Sequence, residues 1–440
     1  MIELSFDELA SLSLGKLWTR AGLEAIDGVE IDSRRVQTGE LFVAAGKGGA
    51  DYVDAARAQG AAATLEPDDA HTALATLASV VRSRISATVV AITGSVGKTT
   101  TKDITAALCR QHRKLVAAEA SYNNEVGLPL TLCRADEETE LIILEMGMRG
   151  LGQVDELCRI ARPDIGVITS IGPAHLELLG SVEDVAKGKA EILAHLPDCG
   201  VAIVPANEER LEPYLPSFNA RALTFGTGGD IELVGLETST CSSMTQVDVE
   251  GKSVELEFNF TGRHNLENAL AAVGVYHALG LPLDGIGMGA ATVELSPLRG
   301  QEVELRSGGL LLNDSYNANP LSMKAAIRHL AERAGARRRV AVIGGMAELG
   351  EESALYHREI GAMLVHYGVD VVIAVGEYGE DYCEGLVSAG GASIIELVET
   401  TDDAIGLLRM RLQPGDCVLV KASRANGLEK VADALQTFAV

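Results

Sequence analysis

Aromatic side chains are scarce in this 440-residue sequence, at 4% with a single Trp. Basic residues are outnumbered as well: 37 Lys and Arg face 62 Asp and Glu, a formal net charge of −25. A surface of that sign repels nucleic acid and anionic bilayers, which excludes a bulk polyanion as partner. A small anionic substrate would need a locally basic pocket. The seven cysteines, Cys109, Cys133, Cys158, Cys199, Cys241, Cys383 and Cys417, are odd in number, scattered and free of any CxxC pair. A disulfide framework or structural zinc site is not expected, and a reducing compartment is. No apolar run reaches the ~18 residues of a membrane span. The start, Met1 to Glu8, is acidic and lacks the basic region of a secretory signal. A cytoplasmic protein is expected.

What is present is glycine, 47 residues of it, and a hydrophobic fraction of 47%. That mix suits α/β domains with many tight strand–helix turns better than an all-β sandwich. At ~100–200 residues per domain, two to four domains are expected. Three blocks emerge. Residues 1–82 read as a small α/β unit, with a short strand in Gly39–Ala45 and an alanine-rich helix ending near Gly60. Residues 83–298 alternate strands (Thr88–Ile92, Leu141–Leu144, Ile165–Thr169, Val201–Val204) with helical patterns, which implies a parallel sheet covered on both faces. Residues 231–260 break the rhythm and predict antiparallel strands at a sheet edge. A helix from about Asn265 to Leu279 follows, with Gly280 as its stop. Pro297 and Gly300 mark the next boundary. Residues 299–440 alternate again, with strands at Leu310–Asn313, Val340–Ile343, Val371–Val375 and Cys417–Val420, and read as a Rossmann-like unit.

Thr93-Gly94-Ser95-Val96-Gly97-Lys98-Thr99-Thr100 lies between an apolar strand and a helical pattern. That is the setting of a phosphate loop. Glycines let backbone N–H groups turn toward phosphate oxygens, and the helix N-terminus adds partial positive charge. Lys98 can reach the outer phosphates, and the Thr99 hydroxyl can sit on Mg²⁺. Ile92 stands where the full pattern has its first glycine, so the loop is a shortened form. No guanine-reading Asn-Lys-x-Asp sequence occurs, which favours ATP over GTP.

Ligands of open parallel sheets gather at the carboxyl ends of strands. Glu145 ends one strand, and His175 lies in the loop after another. The first offers Mg²⁺ an oxygen and the second a nitrogen. Singly, a solvated Glu and a structural His are the bland readings; together on the phosphate-loop edge they point to a site. Lys187 and Lys189 follow in a helical pattern, where a solvated helix surface is the plainer expectation.

Further stretches carry a resemblance: Asp32-Ser33-Arg34, Ser121–Pro129, Glu145-Met146-Gly147, Gly262–Ala269, Asn313–Met323, Gly344–Gly350 and Lys421-Ala422-Ser423-Arg424. With the phosphate loop, they resemble the Mur ligase family of ATP-dependent amide ligases along the whole chain. Asn313–Met323 is close to a signature of the members that add D-alanyl-D-alanine to a UDP-muramoyl tripeptide. Three departures stand out. Gly46–Tyr52 lacks the histidine of the usual Asp-Gly-His stretch, Arg299-Gly300 replaces Gly-Arg, and Ala422 replaces a glycine.

The resemblance implies an N-terminal UDP-substrate domain, a central ATP-binding domain like a phosphate-loop ATPase, and a C-terminal Rossmann-like domain. It implies ATP and Mg²⁺ as cofactors. UDP-muramoyl tripeptide and D-alanyl-D-alanine are the implied partners, with the chain acting as a monomer. Gly94, Ser95, Val96, Gly97, Lys98, Thr99 and Thr100 would hold phosphates. His264, Asn265, Asn268 and Arg299 would position the nucleotide, with Asp314, Tyr316 and Asn317 closing over it. Ser33, Arg34, Asn123, Asn124, Lys421, Ser423 and Arg424 would meet substrate. Thr99 and Glu145 would hold one Mg²⁺ and His175 a second, with Lys189, carbamylated by CO₂, as ligand or support. Lys98, Glu145, His175 and Lys189 are thus the implied catalytic set. A folylpolyglutamate-type ligase is the nearest alternative, but it would lack the N-terminal unit and the Asn313–Met323 stretch. A nucleotide sensor without turnover would need fewer of these residues.

Overall fold

The strand Thr88–Thr93 is apolar on both faces, and Val89 to Thr93 are fully buried. Such a strand is stable only inside a sheet covered on two sides. In the computed structural model, which describes residues 1–215, 220–239 and 242–438, it lies inside a nine-stranded sheet. Cys241, within the expected edge region, lies outside those residues.

Across that sheet the order is Lys252–Phe258, Ser243–Val249, Ile231–Thr238, Arg221–Phe225, Val201–Pro205, Ile165–Ile168, Thr88–Thr93, Leu141–Glu145 and Leu115–Ala117. The phosphate-loop strand pairs in parallel with Ile165–Ile168 on one side and Leu141–Glu145 on the other. Three chain segments therefore end side by side at one sheet edge. The expected antiparallel strands at the sheet margin are present, with a bulge between Leu233 and Gly235. The helices Lys98–Cys109 and Arg263–Ala278 pack on one face.

A six-stranded sheet follows, in the order Gln301–Glu304, Leu310–Asn313, Cys417–Lys421, Arg339–Gly344, Val371–Val375 and Ile394–Val398. All its pairings are parallel except the first. The helix Pro320–Ala334 opens with Pro at N1 and an Asn319–Ser322 capping box, which fixes where the loop after Asn313 ends. The N-terminal unit carries a four-stranded sheet of Gly15–Thr19, Ala63–Pro67, Glu40–Val43 and Gly28–Glu30.

The helix Ala70–Arg84 runs through residue 82. Its apolar face (Leu74, Leu77, Ala78, Val81) is buried in a cluster shared with Leu132 and Leu157, and Arg82 donates to the Ala161 carbonyl at 2.8 Å. The chain thus passes from the first sheet to the second without an extended linker. The strands Leu115–Ala117, Arg221–Phe225, Gln301–Glu304 and Ile394–Val398 were not expected. They are short or carry polar residues on part of their length, so their periodicity is weak. Among the described residues no helix is long and apolar enough to cross a membrane.

Candidate active site

The phosphate loop wraps tightly between neighbours. Gly94 and Gly97 have φ of 148° and 86°. A Cβ at Gly94 would meet Thr169 Oγ1 at 1.9 Å, and one at Gly97 would meet Asn268 Oδ1 at 2.0 Å. Only glycine fits at either place. The loop is held open from outside: Val96 N–H donates to Ser170 Oγ at 2.9 Å, and Ser95 Oγ donates to the Gly172 carbonyl at 3.0 Å. The Lys98 ammonium folds back onto the Gly94 carbonyl at 2.7 Å. Burial lowers its pKa and Arg299 adds to this, against the pull of Glu145.

Thr99 and Glu145 meet as expected. The hydroxyl donates to Glu145 Oε2 at 2.7 Å, both residues being buried. Glu145 Oε1 accepts from Asn123 Nδ2 at 2.7 Å. This joins the Ser121–Pro129 loop to the phosphate loop. Asn124 turns its oxygen to Gly127 N–H at 2.9 Å and so steadies the helix that follows. Lys102, which sequence reasoning missed, donates to the Ala118 and Ala120 carbonyls at 2.7 and 2.9 Å and anchors the same loop from below. It also lies 3.0 Å from the neighbouring Asp103 carboxylate, and nothing in the local pattern marks the carbonyl contacts out.

His175 sits half-buried on this edge, in the left-handed region at φ 57°. Its Nδ1 meets the carboxylate of Glu348 from the C-terminal unit. Burial lowers the His175 pKa, and Glu348 opposes the shift. Lys189 corrects the plainer expectation of a solvated helix face. It lies in the last turn of Val182–Ala190 and is 1% exposed. Burial, and then the nearby Lys98, push its pKa well below the ordinary lysine value.

A cleft of about 1430 Å³ runs between the central and C-terminal sheets. The loop from Ser95 to Thr100, with Asn123, Asn124, Glu145 and His175, lines its central side, and His264, Asn265, Asn268 and Arg299 extend that wall. His264 is held neutral, its pKa lowered to about 3 by burial and then by His329, Lys421 and Arg328. Asp314, Tyr316, Asn317, Lys421, Ser423 and Arg424 form the opposite wall. Arg299 lies over the Tyr316 ring at 4.0 Å from its centroid, and the Tyr316 hydroxyl meets Ser121 Oγ. The wall thus touches the loop it faces.

Some expected contacts are already engaged. The Lys421 ammonium is 2.6 Å from Asp314 Oδ2 and 2.9 Å from the Asn317 carbonyl. Ser423 Oγ accepts from Ala347 N–H at 2.8 Å and donates to the Ala318 carbonyl at 3.1 Å. Arg424 keeps a more open guanidinium, its side chain 58% exposed. Ser33 and Arg34 do not line the cleft. Arg34 pairs with Asp32 at 2.6 Å, and neighbouring Arg35 reaches Glu119, which leads into the substrate loop. The N-terminal block instead gives the cleft His71, Thr72 and Ala75. Glu348 is a site residue that sequence reasoning missed; the signal for it is its place in the loop after a C-terminal-sheet strand.

The donors suit Mg²⁺ more than a metal caged by protein. Among the described residues no group of three His, Cys, Asp or Glu could hold a metal. Mg²⁺ takes one or two protein oxygens and fills the rest from phosphates and water. The converging oxygens of Thr99 and Glu145 fit that pattern.

The Mur ligase middle-domain family matches residues 92–276, and the Mur ligase glutamate ligase domain family matches residues 299–424. The chain belongs to the Mur ligase family. A Bacillus subtilis (strain 168) relative named UDP-N-acetylmuramoyl-tripeptide--D-alanyl-D-alanine ligase is 32% identical over 92% of each chain. A crystal structure of MurF from Acinetobacter baumannii superposes with a TM-score of 0.88 at 27% identity, covering 99% of each chain. MurF ligase from Thermotoga maritima, solved in complex with ADP, is 30% identical with a TM-score of 0.80, over 93% of this chain and 97% of that one. The three-domain α/β architecture is that of this Mur ligase group.

Proposed function

We propose that this chain is a cytoplasmic, monomeric, Mg²⁺-dependent ligase that joins D-alanyl-D-alanine to UDP-N-acetylmuramoyl-tripeptide at the expense of ATP, in peptidoglycan precursor synthesis. The carrying observation is one cleft lined by the phosphate loop, the Asn123–Glu145 pair and the Asp314–Asn317 wall. The names of relatives that match nearly its whole length support the substrate pair. The working division is residues 1–82 for the UDP-substrate, 83–298 for ATP and 299–440 for closure and the incoming dipeptide.

A carboxylate does not react with an amine, because its oxygen is a poor leaving group. Transfer of the γ-phosphoryl group makes an acyl phosphate, which the dipeptide amine attacks; phosphate leaves and an amide forms. Such transfer is mainly positioning and charge neutralisation. Two anions must meet, and Lys98 offsets their repulsion. Mg²⁺, held by Thr99 and Glu145 and at a second place by His175, would neutralise phosphate charge. Asn123 orients Glu145, while Arg299, stacked on Tyr316, is assigned to the nucleotide. His264, Asn265 and Asn268 shape the nucleotide side. Asn124, Ser33 and Arg34 are assigned to the UDP-tripeptide. Arg424 is assigned to the dipeptide carboxylate, with Lys421 and Ser423 fixing the wall beside it.

Lys189 is proposed as a carbamate. Among its surroundings the charge that bears on it is another cation, Lys98. Burial and that neighbouring cation both favour the neutral amine. Its lone pair attacks CO₂, a C–N bond forms, a C=O pair moves onto oxygen, and a proton leaves to solvent. The product carries negative charge and oxygen donors.

Phosphate release is the test. Release that depends on ATP, a UDP-muramoyl tripeptide and D-alanyl-D-alanine together is expected. Robust glutamate addition to folate without dipeptide ligation would overturn the proposal.

A further inference from the structure

Glu348 lies on the loop after the strand Arg339–Gly344 of the C-terminal sheet. Among the described residues, its polar contacts reach the central unit. One carboxylate oxygen meets His175 Nδ1, the other is 3.6 Å from Arg149 Nε, and its carbonyl accepts from Glu177 N–H at 3.2 Å. The two contacting residues are both in the left-handed region, His175 at φ 57° and Glu348 at φ 62°. Side-chain-bearing residues hold that conformation only when their surroundings over-determine it.

The Glu348 loop is fixed from its own side. Met346 N–H donates to Nε2 of buried His357 at 2.9 Å, whose Nδ1 faces the Ser353 carbonyl at 2.6 Å. Ala347 N–H donates to Ser423 Oγ at 2.8 Å. Glu348 is therefore presented across the cleft by a rigid support, and the same support includes the Lys421–Arg424 stretch.

An imidazole that donates Nδ1–H to a carboxylate keeps Nε2 as an unprotonated donor for a cation, and outer carboxylates of this kind set ring orientation and basicity. We propose that Glu348 is a positioning residue that fixes the His175 ring for cation binding through Nε2, and does so only when the C-terminal unit is docked. Docking thereby completes a site on the central unit. This rests on the role given to His175 in the proposed function.

The test uses the full chain with ¹⁵N-labelled histidine, the His175 signals being assigned by comparison with His175→Gln. The Nδ1–H tautomer is expected in the wild type and in Glu348→Gln, whose amide oxygen still accepts, and is expected to be lost in Glu348→Ala. Mn²⁺ titration by electron paramagnetic resonance, with an ATP analogue present, should weaken ~10–100-fold in the Ala variant, the scale for losing an outer-shell partner, and stay near wild type in the Gln variant. Wild-type tautomer or Mn²⁺ affinity in Glu348→Ala would overturn the proposal. So would a Gln variant as weak as the Ala variant, since that would make the carboxylate a direct ligand. The tautomer needs neither substrate nor turnover, so failure of dipeptide ligation would leave this reading standing.

Discussion

Lys189 and Lys421 are each only 1% exposed, yet the two regions around them treat a buried ammonium in opposite ways. Lys421 ends a strand of the C-terminal sheet and finds the Asp314 carboxylate and the Asn317 carbonyl waiting. Lys189, at the end of a helix behind the phosphate loop, finds another cation. A buried charge persists when paired and hydrogen-bonded, and is given up when it is not. The first lysine is thus tied to its partners, whereas burial and Lys98 lower the pKa of the second, which is the ground for proposing chemistry at it. A lysine's burial therefore says little until its partners are counted.

The largest effect should come from the charge that separates the two regions. Lys98→Ala should cost ~10²–10³ in turnover, the scale for one preorganised electrostatic group, with an unchanged circular dichroism spectrum. Near-normal kcat would remove Lys98 from the mechanism and leave the Lys189 environment without its purpose.

Next in size is stability at the paired lysine. Lys421→Met leaves Asp314 beside an empty place, and urea unfolding should report a loss of about 3 kcal/mol, the low end for breaking a buried pair because Asp314 keeps some solvent contact. Adding Asp314→Leu should restore most of it. A single variant as stable as the wild type would erase the contrast with Lys189.

Lys189 should respond the other way. Lys189→Ala should lose activity ~10–100-fold, the range for a ligand support, and recover it with added short-chain carboxylates. Full activity without them, or a bare ammonium at Lys189 in a high-resolution Mg²⁺–ATP complex, would end the carbamate proposal.

A smaller effect concerns pH. With CO₂ removed, folded Lys189 binds its proton well below the unfolded value, so the unfolded chain holds the extra proton in between. Stability should therefore rise with pH from the lowered folded pKa up to the ordinary lysine value near 10.4. Lys189→Met should lack that component of the slope. Matching pH profiles for the two proteins would mean that Lys189 keeps its proton on folding. The least effect is one of shape. An ATP analogue with UDP-muramoyl tripeptide should compact the chain in small-angle scattering, because both walls of the cleft carry assigned contacts; no compaction would count against closure.

Much of this was legible in the sequence, for a physical reason. The phosphate loop is a local object: glycines, a strand before and a helix after lie within a dozen residues, so pattern alone locates Lys98 and Thr99. Strong apolar runs likewise locate the inner strands of both sheets. Edge strands such as Ile394–Val398 leave a faint pattern because their residues are half-buried or exposed. Glu145 and His175 could be assigned to one edge because parallel sheets bring strand ends together.

By itself the sequence determined the alternation of strands and helices, the phosphate loop and the family, since each depends on neighbours in the chain or on motifs read one at a time. Tertiary structure decided which polar groups are already taken. Lys421 meets Asp314 from 107 residues away and His175 meets Glu348 from 173 residues away. Lys189 loses solvent to packing that its helix pattern does not reveal. Burial and partnership are properties of what the folded chain brings close, and the charge state of a lysine follows from them.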